Sequence, residues 1–348
     1  MGRARAFLRS VAPFLVGAPI LALLQRVIPP GWQPVAVNAG VDVVLAVSLN
    51  VVNGFTGQFS LGHAGFMAVG GYTAAKITLA LAGVKIAFLP EIVSDQLVFA
   101  LALSAGMGMA AIAGFLVGMP SLRLRGDYLA IVTLGFGEII RSIIENMKFL
   151  GQATGLSGLP AHTNFAWVGI SAIATIVMAR RLAVSTEGRA LFAIREDEVA
   201  AEAMGVDTTG YKVRAFVISA AYAGLAGGLL VHAILLVTPK MFTFIRSIEV
   251  VVMVVLGGLG SVTGSVLAAV ALRFALEGFR EFQQYRMVVY ALLLVVLMLL
   301  RPQGIFGTRE IWDLAPFRRL PRPRPLAPAP GGASPTEVRD DAGTGRRA

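Results

Sequence analysis

Two clusters of polar residues sit inside otherwise apolar stretches, and chemistry or passage would take place there. The segment NVVNGFTGQFSLGHAGF, Asn50 to Phe66, holds Asn50, Asn53, Thr56, Gln58, Ser60 and His63 among glycines. Unwound backbone at membrane depth is tolerated only where it is buried in protein or lines water. A polar, glycine-rich break therefore reads either as part of a translocation route or as hydrogen bonding between helices. The run GDYLAIVTLGFGEIIRSIIENM carries Glu138, Arg141 and Glu145 at helical spacings of three and four, so the three share a face and can neutralise one another. Glu138 is one end of that ladder, with a place on the route as the alternative. Asp127 opens the same run, where a carboxylate suits the positive end of the helix dipole.

Catalytic chemistry finds no support. The chain has no cysteine, which removes disulfides, thiol nucleophiles and cysteine metal sites. His63, His162 and His232 lack ligand spacing, so no metal is expected. There is no GxxxxGK[ST] phosphate loop. The glycine cluster LGGLGSVTG, Leu256 to Gly264, lacks the strand and βαβ setting of a dinucleotide loop. No cofactor is expected, no residue is assigned a catalytic role, and an ATP-driven process would need its ATPase on another chain.

The elements that position these residues are membrane spans. Of 348 residues, 56% are hydrophobic and only 14% charged, against about a quarter charged in soluble domains. The net charge of +10 is spread between apolar runs and forms no basic face, which excludes a nucleic-acid partner. A helical span needs about 20 apolar residues, and runs occur near 11–28, 35–52, 60–82, 97–119, 127–147, 164–180, 213–238, 248–276 and 286–300. Arg3, Arg5 and Arg9, then Arg123 and Arg125, then Arg180, Arg181, Arg189, Arg195, Lys212 and Arg214 fall on one side if the amino terminus is cytoplasmic. Lys85, Lys148, Lys240 and Arg246 then occupy outward loops. The arginine-rich tail should also be cytoplasmic, which requires an even number of crossings. The run 248–276, interrupted by LGGLGSVTG, is the place to find the missing one, and 54–71 is a second candidate break. The fold class is thus all-α and polytopic, with about ten transmembrane helices, eight or nine being the alternatives, and some of them broken or re-entrant. Residues 1–310 form the membrane domain. Residues 311–348, with seven prolines between Pro316 and Pro335, form a disordered cytoplasmic tail.

Lipid gives apolar helices no hydrophobic reason to associate, so close packing depends on small residues. Gly106, Ala110, Gly114 and Gly118 form one stripe at four-residue spacing, and Gly224 with Gly228 and Gly260 with Gly264 repeat it. Between the sixth and seventh runs, the mixed-charge stretch from Ser185 to Phe216 contains Glu198 to Met204, a short amphipathic helix stopped by Gly205. That helix has nothing obvious to cover on its own chain, which points to a cytoplasmic partner.

Five blocks in this order, GFTGQFSLGHAGFMAVGGYTAA, LRGDYLAIVTLGFGEIIR, AIREDEVAAEAMGVDTTGYKVRAFVISAAYAGLAGGLL, VVLGGLGSVTGSVLAAV and LRPQGIFG, resemble the LivM-type permeases of branched-chain amino-acid ABC importers. The resemblance covers roughly residues 35–307. It implies a homologous LivH-type permease subunit, two cytoplasmic ATP-binding subunits and a periplasmic substrate-binding protein as partners, in a bacterial inner membrane. It also implies that Glu198, Ala201, Glu202, Ala203 and Gly205 belong to the loop that docks on an ATPase, although AAEAMG matches the EAA pattern only loosely. The family's TGG-x-x-GL segment is altered here to LGQATGLSGLP, which keeps Gly155, Leu156 and Gly158. Urea-type permeases share much of the signature, so urea or an amide is the alternative cargo. An ion-coupled secondary transporter using Asp42 or Glu138 is the alternative mechanism.

Overall fold

The computed structural model describes residues 28–82, 91–122, 124 and 126–278. The first and last expected spans, the side chain of Asp127 and the tail from residue 311 lie outside them.

Helix α1 (Gln33–Asn50) has Pro34 in its first turn, where a missing N–H costs nothing. It runs on through one π-helical turn, Val51–Phe55. Every residue from Val41 to Thr56 is buried, as expected of a helix that is apolar all round and lies at the centre of a bundle. After an irregular stretch to Gly62 the chain continues as α2 (His63–Ala80), so the candidate break within 54–71 falls at residues 56–62. Helix α3 (Glu91–Ser121) has 31 residues, about 46 Å at 1.5 Å per residue, enough to cross a bilayer with tilt. Helix α4 (Asp127–Asn146) carries the charge ladder, and α5 (Phe165–Val184) is capped by the side-chain oxygen of Asn164, which accepts from Trp167 N. Two short helices, α6 (Thr186–Glu196) and α7 (Glu198–Ala203), lead into α8 (Thr208–Ile234).

The run 248–276 resolves into α9 (Phe244–Gly257) and α10 (Val262–Gly278). With 14 residues α9 is about 21 Å long, short of the roughly 30 Å hydrocarbon thickness. The turn between them holds Gly258 at φ 111° and Gly260 at φ 91°, which only glycine adopts without strain. Gly260 is thus a turn residue and not half of a helix-packing pair with Gly264. The close approach of Gly264 is to the backbone of Gly257 across the break. Among the described residues, α1, α3, α5 and α8 are long and apolar enough to cross a membrane by themselves. A two-residue antiparallel pairing, Leu156 with Val237 and Ser157 with Leu236, ties the loop after α4 to the loop after α8.

The small-residue stripe lies where α2, α3 and α8 meet. A Cβ on Gly106 would lie 2.6 Å from the carbonyl oxygen of Gly70, and one on Gly114 2.5 Å from the Cβ of Ala220. On Gly118 it would lie 2.9 Å from the ring of Phe216, and on Gly228 2.6 Å from Leu103. Gly224 faces both Ala110 and Gly70, so three backbones converge at one level. Gly70, which the periodicity of α3 and α8 does not reveal, is the third member of that junction.

Candidate functional site

The Ser185–Phe216 stretch is built from strong local signals. Asp197 sits at the N-cap of α7, and its Oδ1 accepts from Val199 N at 2.9 Å and Ala200 N at 3.0 Å. The helix closes with Gly205 N donating to Glu202 O at 2.9 Å and Val206 N to Ala201 O at 3.1 Å. Gly205 takes φ 84° there, the left-handed residue such a helix ending needs. The expectation that this helix has nothing to cover on its own chain is corrected. Ala201 is buried, Glu198 pairs with Lys212 at 2.5 Å, and Glu202 Oε1 accepts from Thr208 Oγ1 at 2.8 Å. The Lys212 side chain is 1% exposed, so removing Glu198 would strand a buried ammonium. Of the five docking residues named from the sequence, Glu198 and Ala201 hold α7 to α8, while Glu202, Ala203 and Gly205 are exposed. The outer face adds Val199 at 62% and Met204 at 84% exposure, two apolar side chains turned away from the protein.

Inward of α6 and α7 lie the broken helices. Asn50 Nδ2 donates to Ser261 O and its Oδ1 accepts from Gly260 N, both at 2.9 Å, so one side chain joins the end of α1 to the α9–α10 turn. Asn53 Oδ1 accepts from Ser60 N at 3.2 Å and folds the irregular stretch back on the π turn. His63 Nε2 and Ser48 Oγ share a hydrogen bond of 3.0 Å, and Ser219 Oγ donates to Ser48 O at 2.7 Å. Asn50, Asn53, Ser60 and His63 are all buried and engaged in these bonds, whereas Gln58 is half-buried. Among the described residues, Asn53 Nδ2 and Gln58 Oε1 are buried atoms with no protein partner.

Glu138 lies elsewhere, on α4. Arg141 Nε donates to Glu138 at 2.8 Å and Nη1 to Glu145 at 3.0 Å. These side chains are 27–37% exposed on the surface of the chain, and charge at membrane depth requires protein or water as its neighbour. Glu138 also borders a small groove with Leu61, Phe242 and Ser247, which brings α4 beside the starts of α2 and α9.

A buried ion cluster was not assembled from the sequence. Asp42, fully buried in α1, pairs with Arg246 at 2.5 Å and with Arg273 at 2.6 Å, and Arg246 also pairs with Glu249 at 2.8 Å. Arg246, expected in an outward loop, instead stands in the first turn of α9 with its side chain turned into the protein. The signal was Asp42 itself, an aspartate in an apolar run that must find a partner. The partners are more than 200 positions away, beyond any local pattern.

Residues 34–300 match the family model described as branched-chain amino acid transport system / permease component. The chain is 36% identical over 328 residues to the high-affinity branched-chain amino acid transport system permease protein LivM of Escherichia coli K12, an alignment covering 84% of this chain and 74% of that protein. It is 25% identical to a probable LivM permease of Methanocaldococcus jannaschii, covering 78% of this chain and 92% of the relative. To the LivH permease of Escherichia coli K12 it is 24% identical, over 77% and 92% of the two chains. No solved structure matches it. The matched residues include α1 through α10, the α6–α7 loop and both helix breaks, and the chain belongs to the family of branched-chain amino acid transport permeases.

Proposed function

We propose that this chain is the LivM-type half of the translocation channel of an ABC importer for branched-chain amino acids. It pairs with a homologous LivH-type subunit, is driven by two cytoplasmic ATP-binding subunits and receives cargo from an extracytoplasmic binding protein. The observation that carries this reading is the similarity to LivM over 84% of the chain. A short capped helix with an exposed apolar edge, in a chain without a phosphate loop, supports the need for a separate ATPase. The carboxylates that would have served ion coupling, Asp42 and Glu138, both sit in ion pairs, which disfavours a secondary transporter. The half-exposed face of α4 around Glu138, together with Gln58 and the polar residues of the α1–α2 break, is the proposed wall of the route.

Replacing Met204 with Asp is expected to leave the permease in the membrane while lowering co-purification of the ATP-binding subunits at least tenfold. That corresponds to about 1.4 kcal/mol, a modest value for a central apolar contact. Unchanged co-purification and unchanged uptake would reject α7 as the docking element. Both termini are proposed to be cytoplasmic, because basic residues dominate that side. Reporter fusions after Gly2 and at Arg309 should both give cytoplasmic signals. An external signal from either would overturn the even number of crossings.

A further inference from the structure

Arg195 lies in the last turn of α6, two residues before the N-cap of α7, and its side chain turns inward. Nη1 donates to the carbonyl oxygen of Gly54 at 3.0 Å, in the π turn that ends α1. That carbonyl belongs to the last turn of a helix, where acceptors lack intrahelical donors and the dipole favours a cation. The same Nη1 lies 2.8 Å from where a Cβ on Gly260 would be, and the Arg195 stem lies 2.7 Å from where one on Gly57 would be. The guanidinium stands over the Phe192 ring at 5.6 Å, and that ring packs on Phe55 at 5.1 Å. Asn50 then carries the connection from α1 to Gly260 and Ser261 at 2.9 Å.

We propose that Arg195 is a positioning residue that delivers motion of the docking helix to both helix breaks at once, the α1 π turn and the α9–α10 turn. The proposal rests on α7 being the docking element. Helices α6 and α7 are capped and short, so a push on α7 moves Arg195 with it instead of dissipating in a loose connection. The breaks are where backbone dihedrals can absorb a change, as hinges do. A charge-assisted hydrogen bond is a strong and directional link between them. Lys212–Glu198 is a separate link, from α7 to α8.

The test uses the full complex, with its receptor, reconstituted in lipid vesicles, and reads uptake per ATP hydrolysed. Arg195→Met keeps the apolar stem over Phe192 and removes the donors. It is expected to retain assembly and basal ATPase activity within about twofold while lowering uptake per ATP roughly tenfold. Arg195→Lys, which keeps the charge and a donor, should recover most of that ratio, and Glu196→Gln, which removes only the negative charge of the exposed partner of Arg195, should not change it. An unchanged ratio in Arg195→Met overturns the proposal. So does loss of ATPase co-purification in that variant, because Arg195 would then act in docking alone. Failure of the docking reading is seen separately, as an unaffected Met204→Asp variant. Should Arg195→Met not accumulate, hydrogen exchange in the unmodified complex decides the matter. Trapping the ATPase with vanadate should change protection at 54–57 and 258–261 together, and a change at neither or only one of them contradicts the relay.

Discussion

Replacing Asp42 with Asn is expected to cost about 3–5 kcal/mol, the usual cost of removing one partner from a buried ion pair. Asp42 joins α1 to both Arg246 and Arg273, whose side chains are 11% and 18% exposed. Among the described residues the cluster sets Asp42 and Glu249 against two arginines, and without Asp42 the positive charge inside the bundle outweighs the negative. Arg273→Met should be milder, since Asp42 keeps Arg246. The double change Asp42→Asn with Arg273→Met should be less damaging than Asp42→Asn alone, because it restores charge balance. Thermal unfolding of the solubilised permease measures all three. If Asp42→Asn melts with the unmodified protein, the cluster does not hold α1 to α9 and α10.

Gly224→Leu should be comparably harmful. Its side chain would have to enter the junction of α2, α3 and α8, where a Cβ alone already meets Ala110 and lies 2.9 Å from the carbonyl oxygen of Gly106. Overpacking typically costs about 1–3 kcal/mol, and more where backbone must move. Gly114→Leu should follow it, since Ala220 leaves no room there. Gly108 is the control. It lies on the exposed face of the same α3, with nothing within 4 Å of an added Cβ, so Gly108→Leu should accumulate normally. Equal behaviour of the Gly108 and Gly224 variants, read as monodisperse protein recovered from membranes, would contradict the packing account.

Much of this architecture is legible in the residue order because its signals are local. The break between α9 and α10 shows as glycines in an apolar run, and α7 shows as a charged stretch stopped by Gly205. The stripe on α3 shows as a four-residue repeat. What stays hidden depends on contacts far apart in sequence. Asn50 bonds to residues 210 and 211 positions away, and Asp42 to one 231 positions away, so spacing could flag these side chains as polar but not name their partners. The inward turn of Glu198 and Ala201 is of the same kind, since a six-residue helix has too few positions to reveal which side meets α8. Gly70 was missed because its requirement comes from the backbone of Gly224 and not from a repeat on α2.

The proposed function is passage of branched-chain amino acids under the control of an ATPase on another chain. The most direct measurement is uptake of labelled leucine, isoleucine and valine into vesicles holding the chain with its partner permease, ATP-binding subunits and receptor. Urea and an amide serve as competing cargoes, and ionophores serve to collapse ion gradients. Uptake is expected to require hydrolysable ATP, to survive the ionophores and not to be displaced by urea. Uptake that persists without the ATP-binding subunits, or that collapses with the ion gradient, would contradict it.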